Sequence, residues 1–287
     1  MMAAIDPPPD ISVVTPSYNM RAYLARCVRS VADQKDVRVE HVVIDGASSD
    51  GSVEWLQGEA HVRTISEADR GMYDALNKGL CLATGSVVGH LNCDEQYLPG
   101  TLSFVKRYFA EHPDVDILFG SSLLIRPDGN LLAFRKAYAP RQSFIWTSHL
   151  YLLTCATFFR RRLIDDGLRF DAGLRCVADH AFVLDALRRG YRASYTQRYM
   201  SAFTMTNANL GATETAAREL RELTGRAPRW MQTCRLPLQL ARLASKALSG
   251  AYFQPMPLEY AVYVDERSLA RTQFHSARAS FRWTTSG

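Results

Sequence analysis

Ile11-Ser12-Val13-Val14-Thr15-Pro16-Ser17-Tyr18-Asn19 reads as a short buried strand over residues 11–15 that runs at once into a small polar loop. The same transition recurs twice downstream. Residues 42–44 run into Asp45-Gly46-Ala47-Ser48-Ser49-Asp50-Gly51, and residues 87–91 run into Asn92-Cys93-Asp94-Glu95. Between the first two, Leu24, Cys27, Val28 and Val31 fall on one face at helical spacing. Before the third, Met72, Ala75, Leu76, Leu80 and Ala83 do the same over 72–83. This strand-helix alternation predicts an α/β fold, a mainly parallel Rossmann-like sheet with helices on both faces. Ligands of such sheets bind in the crevice at the carboxyl ends of the strands, where these acidic and small polar residues collect.

Further elements follow the same pattern. Strands are predicted over 40–45 and 62–66, with Ser52 as N-cap of a short helix through Leu56. Gly85 is expected to end the 72–83 helix, and Pro99 to open a helix through Phe109. Strands over 116–120, 122–126 and 130–134 come next, the last two joined by a hairpin turn at Pro127-Asp128-Gly129. Another strand is expected over 154–159, and a helix over 179–189 that stops at Gly190. From about Glu214 the chain turns helical, basic and amphipathic, which sets a boundary near residue 212. The expected organisation is a main domain over 1–212, with halves of about 10–98 and 99–212, and a helical extension over 213–287.

Bulk properties narrow the class. The 287 residues, 47% hydrophobic and 22% charged, are enough for a large buried core. No apolar run reaches the roughly 18 residues of a membrane-spanning helix, and residues 1–9 are too polar and few for a secretory signal. Cys27, Cys81, Cys93, Cys155, Cys176 and Cys234 are scattered without a CxxC pair, as expected of reduced thiols in a cytoplasmic protein rather than a zinc site. The net charge of +5 is unevenly spread. Arg226, Arg229, Arg235, Arg242 and Lys246 have no acid among them, nor do Arg267, Arg271, Arg278 and Arg282. Such asymmetry favours an anionic surface.

Several residues can carry chemistry. Asp94 can hold Mg²⁺ or Mn²⁺ against a diphosphate, since both ions prefer oxygen ligands; equally, Asp94 and Glu95 can cap the next helix. Asp45 or Asp50 can accept from a base or ribose, although a turn of Asp, Ser and Gly is common without a ligand. No GxGxxG follows any strand, which disfavours a nicotinamide site. The stretch Ser66-Glu67-Ala68-Asp69-Arg70-Gly71-Met72-Tyr73-Asp74-Ala75-Leu76-Asn77-Lys78-Gly79 offers Arg70 and Lys78 to a phosphate, or is a solvated helix start. Asp179 is either an N-cap or a general base.

Taken in order, Pro16-Ser17-Tyr18-Asn19, the 45–51 turn, the 66–79 stretch, Ala83-Thr84-Gly85 and Leu91-Asn92-Cys93-Asp94-Glu95 resemble the successive motifs of family 2 glycosyltransferases. The likeness is closest to bacterial enzymes of exopolysaccharide and colanic-acid-type assembly. It continues through Ala156-Thr157-Phe158-Phe159-Arg160-Arg161 and Ala178-Asp179-His180, over about residues 10–211. The resemblance implies a GT-A fold and inverting, metal-assisted transfer of a sugar from a UDP, GDP or dTDP donor to a glycan or lipid-linked acceptor. It implies a donor site of Pro16, Ser17, Tyr18, Asn19, Asp45, Ser48, Asp50, Asp69, Asn77, Lys78 and Asn92. Asp94 would bind Mn²⁺ or Mg²⁺, Arg70 would stabilise the departing diphosphate, and Asp179 would be the base.

The chain departs from that family at three places. Ala178 and Ala181 stand where acids are common, and Asn207-Ala208-Asn209-Leu210-Gly211 stands where a Gly-Gly-x-Ser-like loop is usual. These changes bear on acceptor recognition and keep open a nucleotide-sugar-binding scaffold that has lost its chemistry. A nucleotidyltransferase would carry a glycine-rich basic loop after the first strand, which Pro16 to Met20 is not. In the basic segment, Trp230, Met231, Leu236, Leu240, Leu243 and Leu248 interleave with the cations. That pattern suits an interfacial helix on the inner face of the plasma membrane, or a helix packed on the domain with its arginines in solvent. No nucleic-acid-binding motif accompanies the charge.

Overall fold

The computed structural model describes residues 7–206 and 213–282. Its first half runs β1 (Ile11–Ser17), α1 (Arg21–Ala32), β2 (Val39–Asp45), α2 (Ser52–Gln57), β3 (Val62–Ser66), α3 (Met72–Leu82) and β4 (Val87–His90). Then come β5 (Glu95–Tyr97), α4 (Thr101–Glu111), β6 (Ile117–Ile125), β7 (Leu131–Arg135), α5 (Gln142–Trp146), β8 (Thr157–Arg160), α6 (Arg162–Asp165), α7 (Ala178–Arg188) and β9 (Ala193–Thr204). The chain continues with α8 (Glu214–Gly225), α9 (Arg229–Thr233), α10 (Arg235–Leu248), β10 (Leu258–Val262) and β11 (Thr272–Ser276). The loop at 207–211 and the boundary at 212 lie outside the described residues.

Nine strands form one sheet in the order β3-β2-β1-β4-β8-β6-β9-β5, with β7 paired to β6. β1 pairs parallel to β2 and to β4, and β2 parallel to β3, so four carboxyl ends open along one edge. Every residue of β1 is buried, as a central parallel strand covered on both faces requires. α1 buries the predicted Leu24, Cys27, Val28 and Val31. α3 lies so close to β1 that a Cβ on Gly79 would stand 2.3 Å from Val14 Cγ1.

Some local expectations shift. Ser52 is the first helical residue rather than the cap. Gly51, at φ +83°, occupies the cap position, and Asp50 Oδ1 accepts from Ser52 N–H and Oγ–H. α3 ends at Ala83, already extended. Gly85 serves a close approach instead, because its Cβ would fall 2.6 Å from Ser12 N. Left-handed Gly100 precedes α4, so Pro99 stays outside it. The segments expected as two strands over 116–126 form one, β6. Its central Ser121 and Ser122 are buried yet bonded, Ser121 Oγ accepting from Ala137 N–H and Ser122 Oγ meeting Ser201 Oγ at 2.9 Å. Asp179 is not a cap, since Val177 holds that place in α7.

Beyond α10 the extension becomes an antiparallel hairpin, β10–β11, instead of continuing as helix. It is anchored beside β5. Gln96 and Tyr263 exchange hydrogen bonds of 2.9 and 2.8 Å, Gln96 Nε2 donating to Tyr263 O and Tyr263 N–H donating back to Gln96 Oε1. Buried Arg271 pairs bidentately with Asp33 at 2.6 and 2.7 Å and donates to Tyr97 O at 2.8 Å. A guanidinium fork satisfied on all sides is the form in which burial of a charge is tolerated. α10 does not pack with Arg242 and Lys246 in solvent, the second of the two arrangements its pattern suits. Arg242 donates to Tyr138 Oη at 2.9 Å, and Lys246 lies 4.4 Å over the Tyr252 ring, while the leucines face outward.

Candidate functional site

The loops after β1 and β2 are stapled together at the sheet's carboxyl edge. Asn19 N–H donates to Ser48 Oγ and Ser49 N–H to Asn19 Oδ1, each at 2.8 Å. Both loops hold a residue in the left-handed region, Asn19 at φ 50° and Ala47 at φ 61°. For alanine that conformation costs on the order of 1–2 kcal/mol, and such strain gathers where a loop must present its backbone in a fixed shape. Asp45 supplies the compensation. Its fully buried carboxylate accepts from Ser48 N–H at 2.8 Å, Ser48 Oγ–H at 2.6 Å and Ser66 Oγ–H at 2.8 Å. Asp45, expected to touch base or ribose, shapes the turn in the structure. Asp50 is likewise engaged, accepting from Arg21 N–H at 2.9 Å as well as from Ser52.

What these loops expose is Tyr18, 63% accessible, with Asn19 and Asp50 beside an open depression of about 660 Å³. Gly46 admits Asp69 to the same place: a Cβ there would lie 2.8 Å from Asp69 Oδ2 and 3.3 Å from Tyr18 Cδ2. Pro16 and Ser17 close β1 opposite Ile44 and Asp45, and the buried Ser17 Oγ has no hydrogen-bond partner.

A second group forms after β4. Asn92 Oδ1 meets His90 Nε2 at 2.9 Å, and Asn92 N–H donates to Glu95 Oε2 at 2.7 Å. Asp94 and Glu95 therefore sit side by side on a tight turn, Asp94 partly and Glu95 wholly buried. Burial raises both carboxyls, and for Glu95 the Asp94 charge adds to it. Glu95 Oε1 has no hydrogen-bond partner. An unpartnered Glu95 oxygen next to the Asp94 carboxyl is chemistry that suits a hard divalent cation. Among the described residues no cluster of three or more His, Cys, Asp or Glu is arranged to hold a metal. A cation here needs most of its oxygens from phosphate and water, as Mg²⁺ commonly does.

Asp179 approaches His90, at the end of β4, from α7. It lines a small cavity with His90, Thr154, Thr157, Phe159, Phe170 and Phe182. Glu95 feels the Asp179 charge as well as that of Asp94. Asp179 Oδ1 accepts from His180 N–H at 2.8 Å and Tyr73 Oη–H at 3.3 Å. Burial lifts its carboxyl to about 6, against the pull of those two bonds. Burial also lowers His90 to about 4, leaving a neutral imidazole.

Three further expected site groups, Arg70, Lys78 and Asn77, make contacts within the fold. Arg70 is exposed and pairs with Asp74 at 3.0 Å, one turn along α3. Lys78 pairs with Glu67 at 2.7 Å. The Asn77 amide clasps the Phe170 backbone through bonds of 2.8 and 3.0 Å, which seats the Phe170 ring in the Asp179 cavity. Tyr73, His90 and Phe170 are site residues that the sequence does not announce, since an aromatic on a helix face and a histidine ending an apolar strand both read as core.

Residues 12–169 match the sequence profile of glycosyl transferase family 2. A "PGL/p-HBAD biosynthesis glycosyltransferase" of Mycobacterium bovis is 32% identical over 123 residues, 40% of this chain and 48% of the relative. The chondroitin synthase of Pasteurella multocida is 26% identical over 129 residues, 44% of this chain but 13% of that protein. The aligned stretch thus spans about half the length of the mycobacterial relative or less of the others. Among solved structures, S. aureus TarS 1-349 in complex with UDP-GlcNAc superposes with TM-score 0.62 at 18% identity, over 84% of this chain and 75% of that one. Mannosyltransferase PcManGT from Pyrobaculum calidifontis, in complex with GDP-Man and Mn²⁺, gives 0.55 at 23% identity, over 85% and 77%. The shared architecture is the GT-A fold.

Proposed function

The chain belongs to glycosyl transferase family 2, and on that premise we propose that it is an inverting, metal-assisted glycosyltransferase. The donor is a nucleotide-diphosphate sugar carrying UDP, GDP or dTDP, and the acceptor is a hydroxyl of a glycan or lipid-linked molecule in cell-surface polysaccharide synthesis. One observation carries the reading: Asp179 and the His90–Glu95 turn converge on one crevice at the carboxyl edge of the sheet. The family implies a divalent metal, and Asp94 is the residue that would hold it; when bound it supplies positive charge to a diphosphate.

The protein's own groups divide the remaining work. Tyr18, Gly46 and Asp69 offer a surface for the nucleotide beside the fixed 46–51 turn. Asp179 takes the acceptor hydroxyl's proton as oxygen attacks the anomeric carbon, where the transition state is oxocarbenium-like. A carboxyl near 6 suits that task, being ionised at neutral pH yet more basic than an exposed aspartate. Phe159, Phe170 and Phe182 limit water around it. Arg70 can serve a departing diphosphate by exchanging Asp74 for phosphate, since exposed ion pairs are weak.

The setting of Ala178 favours the transferase over the scaffold alternative. Ala178 is fully buried in the core, so an acid there would face apolar side chains rather than the crevice. The assay that tests the proposal is nucleotide release from UDP-, GDP- and dTDP-sugars with a panel of glycan and lipid-linked acceptors, with Mn²⁺ and with chelator. One donor class is expected to raise Tm, because a ligand of the folded form stabilises it, and to release nucleotide only with acceptor and metal. Failure of all donors to do either overturns the reading.

Tyr73→Phe tests the setting of the base. It removes a bond that favours the Asp179 carboxylate, so the acid limb of the pH–rate profile should move upward by about half a unit to one unit. Turnover at neutral pH should fall only severalfold. An unmoved profile would show that Tyr73 does not tune Asp179.

A further inference from the structure

We propose that the outward face of α10 is a docking surface for an anionic lipid bilayer, with Trp230 and Phe253 at its ends. α10 is an amphipathic helix mounted in reverse. Gln239, Arg242 and Lys246 turn inward: Gln239 Nε2 donates to Thr147 O at 2.8 Å, Arg242 binds Tyr138, and Lys246 lies over Tyr252 and Phe281. The opposite face is apolar along its length. Leu236, Leu240, Leu243 and Leu248 are 67%, 58%, 43% and 90% exposed, with Pro237, Ala244 and Ala247 exposed between them. Trp230 at 57% and Phe253 at 69% extend the patch beyond either end of the helix. A helix this exposed on its leucine side gains nothing from the domain by that side, since α10 buries no residue fully.

Charge selects the occupant. From Arg226 to Leu258 the chain has five cations and no acid. Two of them, Arg242 and Lys246, are turned inward, and the other three, Arg226, Arg229 and Arg235, are exposed around the start of the leucine face. An apolar face with unopposed arginines and aromatics at its edge matches the interfacial zone of a bilayer carrying anionic lipid, where the rings sit at headgroup depth. A second copy of the chain would bring its own arginines to the same rim, which disfavours self-association. Among the described residues no helix is long and apolar enough to cross a membrane, so the contact is one of lying on the surface.

The surface is also well placed. α10 packs on α5, and α5 on α7, where Ile145 O meets His180 Nε2 at 3.0 Å, one residue from Asp179. That the bilayer thereby presents a lipid-linked acceptor to Asp179 rests on the transferase reading; that the helix binds lipid does not.

Vesicle flotation of the full chain tests the proposal. Vesicles of phosphatidylcholine with roughly one-third phosphatidylglycerol should carry the protein up, pure phosphatidylcholine should do so much less, and high salt should weaken the effect. Leu240→Asp/Leu243→Asp should reduce binding at least tenfold with unchanged Tm and unchanged nucleotide release from a soluble acceptor. Arg229→Glu/Arg235→Glu, lying outside the leucine face, gives an independent readout by removing the preference for phosphatidylglycerol. Absence of wild-type flotation overturns the proposal, as does flotation that both variants retain. So does a wild-type dimer in sedimentation that Leu240→Asp/Leu243→Asp converts to monomer without any vesicle binding, for the face would then belong to a second copy. Because flotation reads docking and nucleotide release reads chemistry, either can fail alone.

Discussion

Asp179→Asn is expected to lower turnover by roughly 10²–10⁴-fold, the range of a lost general base, while making the protein more stable. The two effects share one cause. The carboxyl sits at about 6 in the fold against an ordinary 3.8, because burial disfavours its charge. A raised carboxylate pKa means that the folded state holds the proton more tightly than the unfolded chain. The group therefore costs nothing below about pH 4, and stability falls as pH rises through the interval from about 4 to 6. At neutral pH the charge costs on the order of 2–3 kcal/mol, by the linkage between pKa and free energy. Asparagine keeps an oxygen for His180 N–H and Tyr73 Oη–H but carries no charge, so it removes that cost. Thermal melts at pH 7 should show Tm several degrees higher, from the usual few degrees per kcal/mol for a chain of this size, with the gain fading towards pH 4. Wild-type turnover should rise through about pH 6 and then level. A variant that keeps a tenth of wild-type turnover would remove Asp179 from the base role, and a lowered Tm would contradict the buried-charge account.

The sequence discloses the fold where burial is continuous and the site where chemistry is local. β1, β2 and β4 are legible because parallel strands covered on both faces are short apolar runs, and the helices between them keep their period. β6 is legible only in halves. Gly120, Ser121 and Ser122 look like a break, but their hydroxyls find partners on β9 and next to β7, contacts that no local pattern reveals. The β10–β11 hairpin is hidden for a similar reason, being held by Arg271 and Tyr263 to residues more than a hundred positions away. Among candidate site residues, Asp94 and Asp179 stand out as acids beside apolar runs, and the fold brings Asp179 within electrostatic reach of Glu95, the residue after Asp94. Asp45, Asp50 and Asn77 look equally available, and each is bonded to a nearby turn or a distant backbone. A carboxylate's availability is a property of its neighbours in space. Tyr73 is the converse case: an apolar-face aromatic becomes a polar contact because α7 delivers a carboxylate to its hydroxyl.

Asp94→Ala is expected to abolish the metal-dependent part of donor binding, with turnover falling by about 10²–10³-fold or more, the scale of losing one charge-stabilising contact. The effect should be large because no cluster of three or more metal-ligating side chains supports it among the described residues. In a site with several protein ligands, loss of one leaves the others to retain the ion. Here Asp94 would be the principal protein anchor, and its removal leaves the ion to phosphate and water alone. The turn itself should survive. The neighbours also hold it, through Asn92 with Glu95 and Gln96 with Tyr263. Removal of a partly buried carboxylate beside Glu95 also relieves like-charge repulsion, so the unliganded variant should melt no lower than wild type. The informative measurement is a thermal-shift matrix of nucleotide diphosphate with and without Mn²⁺. Wild type should gain stability from the pair beyond the nucleotide alone, and Asp94→Ala should show the nucleotide increment only. If the variant keeps the full Mn²⁺-dependent gain, the ion binds through other oxygens, and the carboxylates of the 92–95 turn need another explanation.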